Sequence, residues 1–256
     1  MIPKIIHYVW VGGTMPKKVS ENIADWKKIL PDYEFMKWNE DNWDISSNAF
    51  ATYFYSKGRR GYGFVGDPIR VDVLDRFGGV YLDTDVVVSQ SFDPLLMQSL
   101  VIGRLYDNAL GTATILAEKH NPRIHELVNL YDSYRSDFLD NPHTDKVSNG
   151  IFTRYFLNKN IGLKFGNEKQ MLDDGTIILP KHSFELPAFW FERNDYSTHL
   201  ATGSWQSVRT VEGSSSLKSL IAATFEKYSP ALIARHRNHV DGKNNSISKQ
   251  FGNKDK

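Results

Sequence analysis

A chain of 256 residues, 41% hydrophobic and 24% charged, has the composition of an ordinary globular protein with ample core material, as one large domain or two small ones. A formal charge of +1 makes no electrostatic case for nucleic acid as a partner. Zero cysteines exclude disulfides and thiolate metal sites. The start Met1-Ile2-Pro3-Lys4 lacks a signal-peptide pattern and no run has the apolar length of a membrane span, so the expected location is cytoplasmic.

Ile5 to Val11 is β-branched and aromatic and stops at Gly12-Gly13, which predicts a buried first strand ending in a glycine turn. Val19, Ile23, Trp26 and Leu30 form the apolar stripe of a helix halted by Pro31. Tyr33 to Trp38 predicts a second strand, 41–57 a helix, and Lys57-Gly58-Arg59-Arg60-Gly61-Tyr62-Gly63 a basic, glycine-rich loop. Asp67-Pro68 reads as a helix start, because Asp caps free N–H groups and Pro is tolerated at the first helical position. That helix ends at Gly78-Gly79, and Val80 to Val88 follows as a strand. Alternating strands and helices predict an α/β domain with a mostly parallel sheet and ligands at the C-terminal ends of its strands. Beyond it, Leu100 to Arg104, Thr112 to Ala117 and Thr176 to Leu179 read as strands. Residues 124–138 and 151–156 read as helices, and 180–210 as an aromatic, loop-rich region.

The chemistry concentrates in Gly78-Gly79-Val80-Tyr81-Leu82-Asp83-Thr84-Asp85. Two carboxylates inside an apolar run are costly unless a cation meets them. Two residues apart on extended backbone, both side chains project to one side, and paired hard oxygen donors suit a divalent ion of the magnesium or manganese kind. An Asp-x-Asp alone is more often a solvated or Arg-paired strand end. Its place after a glycine helix stop and an apolar strand is what gives this one weight.

Four blocks in order carry a resemblance: Ile6-His7-Tyr8-Val9-Trp10-Val11-Gly12-Gly13, Asp67 with Arg70, the Asp83-Thr84-Asp85 segment, and His199 ahead of Ser204-Trp205. Together they resemble glycosyltransferase family 32, whose sugar-binding region contains a DXD motif, and more distantly the large clostridial glucosylating toxins. The resemblance implies an α/β fold of the GT-A type, with a single Rossmann-like domain over residues 1–216. It implies that Asp85 binds the metal, Mn2+ or Mg2+, that Asp83 reaches the donor ribose or the metal, and that His199 is a further metal ligand. Ser204 and Trp205 would close over the diphosphate, Trp10 would stack on the nucleobase, and Asp67 and Arg70 would contact the donor sugar. Gly12 and Gly13 would let the backbone approach the ligand, and Asn149 with Gly150 would lie near the sugar. The catalytic set is then Asp83, Asp85, Asp67 and Arg70.

Structural readings compete at several positions. Trp10 suits a buried strand, His199 a polar loop, Asp67 a helix cap, and Arg70 a pair with Asp67 or Asp75. The chain departs from the family where Phe64, Val65 and Gly66 precede Asp67 and Pro68 follows it, which bears on the identity of the donor sugar.

The implied reaction moves a hexose, galactose or glucose, with retention from a nucleotide sugar, UDP-linked, to a glycan or lipid-linked oligosaccharide in surface or capsular polysaccharide synthesis. Two alternatives use the same residues. A haloacid-dehalogenase-type phosphatase would take Asp83 as nucleophile, Asp85 as acid/base and Asp173-Asp174 as magnesium ligands. A noncatalytic module would bind sugar through the metal alone. From Leu217 onward eight Lys/Arg stand against three acids, so 217–256 reads as an amphipathic helix with a basic, polar tail from about Asn238. Such a segment could meet an anionic membrane surface, or simply be a packing helix with a solvated tail.

Overall fold

The computed structural model describes residues 1–142, 144–187, 195–200 and 238–243. In chain order its elements are β1 (Ile5–Val9), α1 (Lys17–Ile29), β2 (Glu34–Trp38), α2 (Ala49–Ser56), α3 (Tyr62–Phe77), β3 (Gly79–Leu82), β4 (Val86–Val88), β5 (Leu100–Tyr106) and β6 (Ala109–Ala117). There follow α4 (Pro122–Asp132), α5 (Ser136–Asp140), α6 (Ser148–Asn158), β7 (Gln170–Met171), β8 (Ile177–Leu179), α7 (Lys181–Phe184) and β9 (Ser197–His199). Seven strands form one sheet in the order β2-β1-β3-β6-β5-β8-β7. Because β6 and β7 alone run against their neighbours, five of the seven share one direction, which is the expected α/β architecture with a mixed sheet.

The central strands β3 and β6 are buried on both faces. Along β3, Val80 and Leu82 enter one core with Trp26 and Ile23 of α1, while Tyr81 enters the other with Val65, Ile69 and Leu74 of α3. This is the two-residue alternation of a strand feeding two layers. Gly78 ends α3 with φ of 67°, the left-handed conformation its sequence promised.

Four expectations are corrected. Residues 41–57 do not form one helix: Asp44 caps a short 3-10 turn through Ser46 N, and Asn48 then caps α2 through Ala51 N. The helix foreseen over 124–138 is divided into α4 and α5. Asp67-Pro68 does not open α3, which begins at Tyr62. Nine residues from Val65 to Leu74 are buried, and this burial outweighs the backbone hydrogen bond that Pro68 cannot donate. The run Val80 to Val88 is not one strand, since β4 leaves the main sheet and pairs with β9 in a second, two-stranded sheet.

The predicted helix after Leu217 lies outside the described residues. Within the tail, 238–243 is helical rather than irregular, and Asn238 Nδ2 donates to the Leu105 carbonyl at 2.7 Å, tying it to β5.

Candidate active site

The break between β3 and β4 makes the centre of the site. Asp83 leaves the sheet with its N–H still donating to the Ala113 carbonyl at 2.8 Å, and Val86 N then donates to the Asp83 carbonyl at 3.0 Å, closing a turn over Asp83-Thr84-Asp85. The acids therefore converge through a tight turn and not, as expected, through the alternation of an extended strand. Register supplies the third group: β4 pairs antiparallel with β9 so that Val86 faces His199. One ligand atom each from Asp83, Asp85 and His199 lies within 4.8 Å of the others. From behind, Asn22 Nδ2 donates to the carbonyls of Thr84 and Val86 at 3.1 and 2.7 Å, and buried Trp26 Nε1 to that of Val86 at 2.8 Å. Helix α1 thus fixes the backbone of the turn.

Each acid has a cation of its own. Arg70 donates to Asp83 Oδ1 at 2.8 Å and to Asp67 Oδ1 at 3.0 Å, and its third partner is the Ser148 hydroxyl at 3.1 Å. The Tyr81 hydroxyl donates to the same Asp83 oxygen at 3.0 Å, while the Arg70 guanidinium lies 4.6 Å from the Tyr81 ring centre. Both bonds fall on Oδ1, so Oδ2 is the Asp83 oxygen available to a cation or a donor hydroxyl. Asp67 and Arg70 are almost fully buried, and burial pushes the Asp67 carboxyl up, to about 7, against the opposing pull of Arg70. Asp85 meets His199, whose Nε2 is 3.3 Å from Asp85 Oδ1. Burial alone would lower the His199 pKa, but the Glu185 charge and the bonds to Asp85 and Glu185 outweigh it and raise it to about 11.

These groups line one end of a cleft of about 640 Å³ at the C-terminal ends of β1 and β3, where α/β sheets bind ligands. Trp10 lies on the same cleft just beyond β1, half-buried, its Nε1 donating to the Gly13 carbonyl at 3.1 Å. It is therefore a wall residue and not a core tryptophan. Gly12, with φ of 84°, lines the cleft too, and a Cβ there would lie 1.9 Å from the Tyr62 ring. Its first requirement is close packing on Tyr62, whereas Gly13, with nothing within 4 Å, is required by its φ of 104°. Asn149 is in the cleft at the start of α6, its Oδ1 accepting from the Thr112 hydroxyl at 2.7 Å.

The structure thus brings together Trp10, Gly12, Asp67, Arg70, Asp83, Asp85, Asn149 and His199, while Ser204 and Trp205 lie outside the described residues. Glu185, Ser148 and Asn22, which no motif marked, also belong to the site, as does Tyr81, which lies in the motif segment but was given no role there. The phosphatase alternative loses its partners: Asp173 and Asp174 do not line the cleft, and Asp174 pairs with Arg123 at 2.7 Å.

Two carboxylates and an imidazole on a half-open face fit a divalent cation of the Mn2+ or Mg2+ kind, leaving positions for a ligand's oxygens. Residues 16–102 match the family described as "Glycosyltransferase sugar-binding region containing DXD motif", the family to which the ordered motifs pointed. Among curated proteins the chain is similar to inositol phosphoceramide mannosyltransferase 3 of Schizosaccharomyces pombe, 26% identical over 137 residues, which is 50% of this chain and 36% of that protein. Inositol phosphoceramide mannosyltransferase 2 of the same yeast is 25% identical over 218 residues, 80% of this chain and 58% of that one. The chain thus spans roughly a third to three-fifths of these relatives' lengths. A solved structure named PaToxG glycosyltransferase aligns with 64% of this chain and 71% of its own, at 19% identity and a TM-score of 0.49.

Proposed function

We propose that this chain is a metal-dependent, retaining hexosyltransferase of the GT-A type that takes its sugar from a nucleoside diphosphate donor. The observation that carries the reading is the Asp83, Asp85 and His199 cluster at the end of a cleft that also holds Trp10, Asp67 and Arg70. Asp83, Asp85 and His199 would hold the ion, which would neutralise charge on the diphosphate as the glycosidic bond breaks. Trp10 offers a flat apolar surface to the nucleobase. Arg70 holds Asp83 by Oδ1, which leaves Oδ2 for the donor or the ion, and Asp67 holds the other side of the guanidinium.

The sequence points to a UDP-linked galactose or glucose, whereas the names of the relatives support mannose as the sugar. Their acceptors, inositol phosphoceramides by name, support a lipid-linked hydroxyl as acceptor. A glycan in capsule assembly at the cytoplasmic membrane face is the acceptor the motifs suggest. Among the described residues no helix is long and apolar enough to cross a membrane, and contact with a membrane through 217–256 is part of the proposal. Release of nucleotide from UDP-galactose, UDP-glucose and GDP-mannose, with and without Mn2+, tests the reading. Turnover should require the metal and fall at least about 100-fold in Asp85→Ala, in line with losing one strong electrostatic contact to the transition state; undiminished turnover in that variant would overturn it.

A further inference from the structure

Glu185 stands one residue past α7, far in sequence from the DXD turn, and nothing in the motifs assigns it a role. Its side chain is 3% exposed although it lines the cleft. A carboxylate so placed needs a partner, and it has His199, with Nδ1 2.9 Å from Glu185 Oε2. An ionised carboxylate can only accept, so Nδ1 carries the proton and Nε2, on the far side of the ring, faces Asp85 Oδ1 at 3.3 Å. Backbone contacts hold the two residues together: Glu185 N donates to the Lys181 carbonyl at 2.9 Å, and His199 N donates to the Glu185 carbonyl at 3.3 Å. A third element makes room. At Gly111 in β6 a Cβ would lie 2.2 Å from Glu185 Oε1, so any larger residue would press the carboxylate away from its place.

We propose that Glu185 is the positioning residue of the cation site. It fixes the tautomer and plane of the His199 ring so that Nε2 joins Asp83 and Asp85 around one divalent ion, and Gly111 keeps the space in which it does so. A histidine ligand gains basicity and orientation from an acceptor on its other nitrogen, and loss of such an acceptor typically weakens metal binding by roughly 10–100-fold. The inference rests on the metal-dependent reading above. A purely structural role, pinning β9 to α7, would act on stability and leave the cation indifferent.

The test is Mn2+ titration of the full chain followed by electron paramagnetic resonance, which needs no turnover. Glu185→Ala should weaken Mn2+ binding by roughly 10–100-fold. Glu185→Gln, whose amide oxygen still accepts from Nδ1, should recover most of that loss. In a His199→Ala background the Glu185→Ala change should cost nothing further. Gly111→Ala, which displaces the carboxylate without removing it, should weaken binding in the same direction and carries the test if Glu185→Ala does not fold. Wild-type affinity in Glu185→Ala, with binding abolished in Asp85→Ala, overturns the role of Glu185 alone. An equal loss from Glu185→Ala with and without His199 also overturns it. Wild-type affinity in both Asp85→Ala and His199→Ala overturns the metal site itself.

Discussion

Replacing Arg70 with methionine keeps an unbranched apolar stem and removes the guanidinium that Asp67 and Asp83 share. Asp67 is 4% exposed and Arg70 3%, so the variant strands a carboxylate in the core. Breaking a buried pair from one side costs roughly 3–5 kcal/mol, because the remaining charge is neither solvated nor compensated. In a domain of this size that corresponds to a fall in Tm of about 6–20 °C. Asp67→Asn alone should cost less, near 1 kcal/mol, since burial already drives Asp67 toward its neutral form. The double variant should then recover at least about 1 kcal/mol relative to the sum of the two changes. The pH response has a definite sign. Arg70 pulls the folded Asp67 pKa down to about 7, so its loss leaves that pKa higher still, and the deficit of Arg70→Met from this group should shrink as pH falls toward about 7 and change little below it. Urea unfolding followed by circular dichroism at several pH values measures all of this. Strictly additive effects, or a loss under about 1 kcal/mol in Arg70→Met, would refute the view that one buried guanidinium holds both acids.

Two further outcomes follow from the scaffold. His7 is fully buried, accepts from Trp38 Nε1 through Nδ1 and donates through Nε2 to the Gly78 carbonyl, and burial lowers its pKa from 6.5 to about 4. The unfolded chain therefore binds a proton that the folded one refuses, and stability present above about pH 6.5 should fall by roughly 3 kcal/mol on the way to pH 4; parallel pH–stability curves for wild type and His7→Leu would count against this. Gly66 lies inside α3 where a Cβ would come no closer than 3.6 Å to any neighbour, so Gly66→Ala should stabilise the chain by about 0.5–1 kcal/mol in thermal melts. A lower Tm would mean that Gly66 serves close packing instead.

Local signals with one physical meaning were legible. The stripe Val19, Ile23, Trp26 became the buried face of α1, and Gly78 could only be the left-handed end of a helix. Asp67 and Arg70 were legible as site residues but not as to where α3 begins, because a Pro signal is local and the burial that overrides it is not. Val86, Val87 and Val88 continue the pattern of β3 so well that nothing in the sequence marks the turn at Asp83. That turn exists because β4 finds β9, more than a hundred residues on. Glu185 was illegible for the same reason: one acid in an aromatic stretch acquires meaning only when Gly111 and His199 arrive beside it.

The two acids of the motif pose different electrostatic problems, and the fold solves them differently. Asp83 is tied to Arg70, a cation that cannot leave and cannot lose its proton, so its position is set by the scaffold. Asp85 is tied to His199, a cation that can surrender its proton when a stronger one arrives. Asp83 therefore keeps one oxygen engaged in any state of the protein and can offer the other to a ribose or an ion. Asp85 and His199 form the exchangeable half, in which a proton held between Asp85 and Glu185 marks the place for a divalent charge. The motif's two carboxylates are one fixed post and one gate. On this division Asp85→Asn should abolish Mn2+ binding while leaving the fold nearly as stable as the wild type, whereas Asp83→Asn should cost stability through Arg70, and titration and thermal melts on the two variants would separate the roles.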